Sequence, residues 1–165
     1  MLSSRKDLAK HFNELRFKSG AEIGVSVGEF AAVLCETIPD LKYYGIDLWP
    51  KREHLAEAKK RLKPYNASFV RATSLEAAKR FKDNSLDFVY IDADHRFDFV
   101  VQDIISWTKK VRKGGIVAGH DYHASGTCGV KPAVDGYLQS HSLSLNLTTD
   151  TSEGISWWFV KKWNI

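Results

Sequence analysis

The chain is predicted to fold as one α/β domain, a doubly wound sheet of mostly parallel strands with helices on both faces. Three observations lead to this reading. Short apolar runs bounded by turn residues recur along the 165 residues. Each run up to residue 111 is followed by a stretch of helical period, the pattern of βα units with a parallel sheet. Two strand-like runs with only a short polar loop between them then close the chain, which adds an antiparallel hairpin. The length falls in the single-domain range, and a 44% apolar content can fill one core.

The elements follow in order. Residues 1–18 form a leading helix: Leu8, Phe12 and Leu15 recur at helical spacing behind a Ser4 cap. Strands are expected at residues 21–25, 43–47, 67–71, 86–91 and 115–118. Helices are expected at residues 29–38, 51–63, 74–81 and 97–111. Residues 143–148 and 155–161 make the hairpin around the loop 149–154. Trp157, Trp158 and Trp163, near the last strand, belong to the core or to a subunit interface, the latter pointing to a homodimer.

Several classes are set aside by composition. No apolar stretch of signal-peptide length follows Met1, and no segment approaches the roughly 20 apolar residues of a membrane span, so a cytosolic protein without membrane contact is expected. Cys35 and Cys128 lie far apart and form no metal-ribbon or disulfide pattern. The net charge of +4 comes from clusters such as Lys59-Lys60-Arg61, read as solvated helix faces rather than a nucleic-acid footprint.

In an open parallel sheet the ligand lies beyond the carboxyl ends of the strands, so the residues there carry the function. The first end reads Glu22-Ile23-Gly24-Val25-Ser26-Val27-Gly28. Gly24 and Gly28 allow a tight turn and close approach before a helix N-terminus. Ser26 occupies the position where a dinucleotide fingerprint needs glycine, which disfavours NAD. The same residues spell G-x-S-x-G, so a hydrolase with Ser26 as nucleophile is an alternative, although only one strand precedes this turn. The second strand ends at Asp47, placed to accept ribose hydroxyls, followed by Leu48 and by Trp49, whose ring would lie against an adenine. Thr73 and Ser74 after the third strand offer hydroxyl and backbone groups to the adenine edge, Ser74 serving equally as a helix cap.

These blocks, with Tyr90-Ile91-Asp92-Ala93-Asp94-His95, the run from Gly114 to Tyr122, and Gly129-Val130-Lys131-Pro132-Ala133-Val134, resemble class I S-adenosylmethionine-dependent methyltransferases. The most similar branch is the compact one that includes macrocin-type O-methyltransferases. The resemblance runs from Ala21 to Trp163. It implies a Rossmann-like sheet of seven strands with the last reversed, and S-adenosylmethionine held by Glu22, Gly24, Ser26, Gly28, Asp47, Leu48, Trp49, Thr73, Ser74 and Asp92. It also implies O-methylation of a small hydroxylated acceptor, a sugar or sugar-containing metabolite. In metal-dependent relatives the positions of Asp92, His120 and Asp121 hold a divalent ion, magnesium or manganese. His120 in place of an oxygen ligand counts against magnesium and leaves manganese, iron or zinc.

Methyl transfer to a hydroxyl needs a group to take its proton, and His95 is the candidate base, as in relatives with a base three residues after the strand-ending acid. Asp98 is placed to orient it. Tyr122, His123 and the small residues from Ala124 to Gly129 read as a lid over the acceptor. Two further readings stay open. The basic balance leaves methylation of nucleic acid, although the Asp/Asn-Pro-Pro-aromatic motif of base amino-methylases and a Pro-Cys nucleophile are both missing. A non-catalytic cofactor-binding subunit also remains, since no separate recognition domain is evident.

Overall fold

A computed structural model describes residues 2–123, 126, 128–152 and 154–164. Ala124, Ser125 and Thr127 of the expected lid lie outside the described residues. The elements run α1 (Arg5–Glu14), β1 (Ser19–Ile23), α2 (Glu29–Thr37), β2 (Lys42–Asp47), α3 (Arg52–Arg61), β3 (Ala67–Arg71), α4 (Ser74–Ala78), β4 (Leu86–Ile91), α5 (Phe97–Lys110), β5 (Val111–Gly119), α6 (Val130–Ser140), β6 (Asn146–Leu147) and β7 (Trp157–Val160).

The seven strands form one sheet in the order β3-β2-β1-β4-β5-β7-β6. Neighbours from β3 to β5 pair in parallel. β7 runs antiparallel to both β5 and β6. The sheet is therefore the mixed, Rossmann-like one expected. A hydrophobic core built from strand and helix residues covers each face: Phe12, Leu34, Tyr43, Phe88 and Trp158 in one, Ile23, Ile46, Val89, Ile104, Trp107 and Trp157 in the other. Trp157 and Trp158 thus belong to opposite cores, as successive residues of a strand must. No described helix is long and apolar enough to cross a membrane.

The departures have local causes. α1 starts as expected, with Ser4 accepting from the Asp7 amide, but it stops four residues early because Arg16 adopts φ 59°. Leu15 is therefore exposed, and Phe17 takes the core place, stacked near Phe12 and Phe88. α4 is capped by Thr73 in a capping box with Glu76, so Ser74 is its first helical residue, not its cap. α6 is an additional helix. Its buried Val130, Ala133, Val134 and Leu138 keep helical spacing, while Pro132 sits in the first turn, where a missing N–H is harmless. β5 begins earlier than expected, its first residues bulging between the Leu86–Val111 and Phe88–Ile116 pairs.

Candidate active site

The strand ends of β1, β2, β3 and β4 surround a cavity of about 1090 Å³. Its floor is the turn after β1. Gly24 has φ 91°, and a Cβ there would lie 2.0 Å from the Asp92 carbonyl oxygen, so the ends of β1 and β4 touch only because this residue has no side chain. Gly28, at φ 80°, caps α2. Ser26 between them is also left-handed, at φ 50°.

Asp47 holds this turn in place. Its Oδ2 accepts the amides of Val25 at 2.9 Å and Ser26 at 2.8 Å, and its Oδ1 accepts the Trp49 amide at 2.7 Å. A carboxylate has about four acceptor sites, so room for a ligand hydroxyl remains. Of the two residues that follow, both expected at the cofactor, only Leu48 reaches the cavity. Trp49 takes φ 41°, is 1% exposed, and donates its indole N–H to the Ser26 carbonyl at 2.8 Å. The ring expected against an adenine is instead a brace beneath the turn. Leu48, 56% exposed, is the one that lines the cavity.

Glu22 lines the cavity from the core. Burial pushes its carboxyl up to about 8, despite a hydrogen bond from the Tyr43 hydroxyl at 2.5 Å. Thr73 and Ser74 lie on the wall after β3, as expected, together with Leu75. The Ser74 hydroxyl donates to Asp103 and accepts from Trp107 Nε1 at 2.8 Å, so it is already engaged within the protein.

The acidic and histidine cluster assembles as the sequence placed it, with one change of membership. His95 Nε2 lies 3.2 Å from Asp92 Oδ1 and 3.5 Å from Asp121 Oδ2. The hydrogen bond with Asp92 raises the His95 pKa above its ordinary value. Asp92, His95 and Asp121 bring one ligand atom each within 4.8 Å of one another. His120 stands behind them, its Nδ1 3.4 Å from Asp121 and 3.9 Å from Asp92, with its buried Nε2 unbonded among the described residues. The compact donor set therefore has His95 where the sequence reading had His120. Two carboxylates and one imidazole suit manganese, iron or zinc better than magnesium.

Asp94, one turn away, accepts both the backbone and the guanidinium of Arg96. Asp98, expected to orient His95, makes no hydrogen bond to it; Asp92 does so. The backbone of His95 is fixed by the Gly129 amide, which donates to its carbonyl at 2.7 Å, and a side chain at Gly129 would strike the Phe97 backbone. The start of α6 thereby sets the place of the histidine. Sequence reading also missed Arg5, Phe99 and Asp103 on the cavity wall. The T-x-x-E signature of Thr73 and Glu76 was the available signal that Ser74 was free for another partner.

A family model described as a methyltransferase domain matches residues 21–122. The chain belongs to the methyltransferase domain family. It is a class I, S-adenosylmethionine-dependent methyltransferase, and the cavity along β1, β2 and β4 is where that fold places its cofactor. Solved structures share the methyltransferase's fold at low identity. Cofactor-bound Rv0187 from MTB is 18% identical with a TM-score of 0.76, the match covering 96% of this chain and 79% of that one. The O-methyltransferase from Bacillus cereus in complex with SAH is 16% identical with a TM-score of 0.75, covering 95% and 80%. A provisionally assigned rRNA-methylase from Clostridium thermocellum is 14% identical with a TM-score of 0.76, covering 100% and 99%. No curated protein matches the methyltransferase.

Proposed function

We propose that this methyltransferase transfers the methyl group of S-adenosylmethionine to a hydroxyl of a small acceptor, a sugar or sugar-containing metabolite, with His95 as the base. The observation that carries the proposal is the His95–Asp92 contact at 3.2 Å beside the Gly24 turn. The acceptor oxygen attacks the methyl carbon in line, the carbon–sulfur bond breaks, and S-adenosylhomocysteine leaves as a neutral thioether. With Nε2–H donated to Asp92, the Nδ1 lone pair of His95 takes the hydroxyl proton, and Asp92 stabilises the imidazolium that forms.

Asp92, His95 and Asp121 would hold a divalent cation only with His95 Nε2 unprotonated, an arrangement that replaces the histidine's role as base, and such an ion, when bound, would itself lower the pKa of an acceptor hydroxyl. O-methyltransferases among the structural neighbours, including the one from Bacillus cereus, favour an oxygen acceptor. A nucleic-acid acceptor draws support only from the fold shared with the rRNA-methylase candidate and from the net charge of +4.

The test is methyl transfer by the purified protein to a panel of hydroxylated metabolites and to RNA, across pH, with EDTA or with manganese. We expect kcat/KM on a hydroxylated metabolite to rise with pH through a value above 6.5, because His95 must lose its proton and its pKa is raised. His95→Gln should lower it roughly 100- to 10,000-fold. Full activity in that variant would remove His95 as the base, and transfer only to RNA with steep salt dependence would replace the acceptor class.

A further inference from the structure

α5 carries two apolar faces. Val100, Ile104 and Trp107 are buried against the sheet, the ordinary arrangement for a surface helix. A second stripe, Phe97, Val101 and Ile105, recurs at every fourth residue on the side turned from the sheet. Phe97 is 48% and Ile105 44% exposed, and with Ala133, Gly136 and Tyr137 of α6 the stripe lines a groove of about 550 Å³. The groove and the cofactor cavity share no lining residue. A helix that is apolar on both sides is normally covered on both, and a continuous exposed apolar strip marks an interaction surface.

The shape and the charge of this face both point to its occupant. A Cβ at Gly136 would meet nothing within 4 Å, so the groove is open above that residue, while Phe97 and Ile105 project beside it. A patch that holds both knob and hole suits a second copy of itself turned by a two-fold axis. The charges obey the same symmetry. Asp98 and Lys109, both exposed, stand three helical turns apart and so lie along one face, at opposite ends of the stripe. Neither side chain forms a salt bridge among the described residues. Each sign suits the helix dipole within one chain. A second α5 running antiparallel about an axis near the middle of the stripe uses both again: Asp98 meets the partner's Lys109, Val101 meets the partner's Ile105, and symmetry repeats each contact.

We infer that the α5–α6 face binds a second copy of this chain, as an isologous dimer with its two α5 helices antiparallel. Asp98, which makes no hydrogen bond to His95, thereby has a partner across the interface. The tryptophans near the last strand divide accordingly. Trp157 and Trp158 are buried in the two cores, and Trp163, stacked on His141 at 5.4 Å, borders the groove. The inference is independent of the acceptor and of the base.

Sedimentation of the purified protein over a concentration series tests it. The wild type should show a monomer–dimer equilibrium with a Kd of about 10 µM or lower, as for interfaces of ordinary size. Ile105→Glu puts an unpaired charge at the centre and should weaken dimerisation at least about 30-fold. Asp98→Lys and Lys109→Asp each set like charges together at both contacts and should each weaken it about 10-fold or more, less so in high salt. Mixed in equal amounts, these two variants should pair with each other to within about 3-fold of the wild-type affinity, because every contact then joins opposite charges. A wild type still monomeric at about 100 µM would overturn the inference. So would a dimer left intact by Ile105→Glu or by either charge reversal, and so would charge variants that stay apart when mixed. If Ile105→Glu does not fold, the two charge variants, which alter only exposed side chains, decide the matter alone.

Discussion

Glu22 enters the sheet on β1 almost wholly buried, at the inner wall of the cavity. Burial holds its carboxyl at about 8, the Tyr43 hydroxyl opposes the rise, and the nearby Asp92 adds to it. The group is therefore largely protonated at pH 7. Its folded pKa lies above the ordinary 4.5, so its contribution to stability is complete below about 4.5 and is lost as pH rises through about 8. A cation in the cavity reverses the preference, because it favours the carboxylate. S-adenosylmethionine carries an ammonium and a sulfonium, and its binding at pH 7 should release up to about one proton from Glu22. Calorimetry in two buffers of different ionisation enthalpy measures this directly: the apparent heats should differ for the wild type, and the buffer dependence should shrink in Glu22→Gln. Identical buffer dependence in the two proteins would dissociate Glu22 from cofactor binding.

At the scale of elements, the loops after the strands matter more than the strands. Those after β1, β2 and β5 each contain a left-handed residue: Gly24, Ser26 and Gly28, then Trp49, then Asp121. Strained backbone of this kind persists only where its surroundings hold it, and here the Asp47 carboxylate and the Trp49 indole do so. Gly24→Ala should destabilise the protein by about 2 kcal/mol or more, roughly 4 °C or more in Tm, and abolish cofactor binding. A variant of unchanged Tm would mean that β4 retreats freely from Asp92. Gly24, Gly28 and Asp47 were legible because residue type alone reports them: glycine where φ is positive, an acid where a parallel strand ends. The withdrawal of Trp49 from the cavity was not legible. Side chains alternate along a strand by period, but φ 41° at Trp49 breaks the alternation at the residue where the strand stops. α6 escaped for another reason, since Pro132 and Gly136 interrupt a pattern that Val130, Ala133, Val134 and Leu138 otherwise keep. His95 lies at the strand ends where the sequence put it, but its hydrogen-bond partner is Asp92 and not the expected Asp98. Asp98 is nearby in sequence, whereas the distance that decides is the one to Asp92 across the turn.

For the whole molecule, the mixed sheet with helices on both faces was legible from the βα alternation and the closing hairpin, though not the order of its strands. What the hairpin does not announce is that its second strand is the inner one. β7 lies between β5 and β6, so β6 reaches the sheet only through β7. Trp157 and Trp158 carry that strand into both cores. A chain ending at residue 154 should therefore lose two strands and expose β5 as an open edge; sedimentation and thermal unfolding should show association or loss of the cooperative transition, and a monomer of wild-type Tm would contradict it. The same topology orders events during synthesis. The parallel strands β1 to β5 are complete once residue 119 has been made, but both cores stay open on the β5 side for some forty residues more. While that interval lasts the nascent chain carries a parallel sheet with a bare edge, so the final residues act as the latch of a protein whose cofactor residues were translated long before.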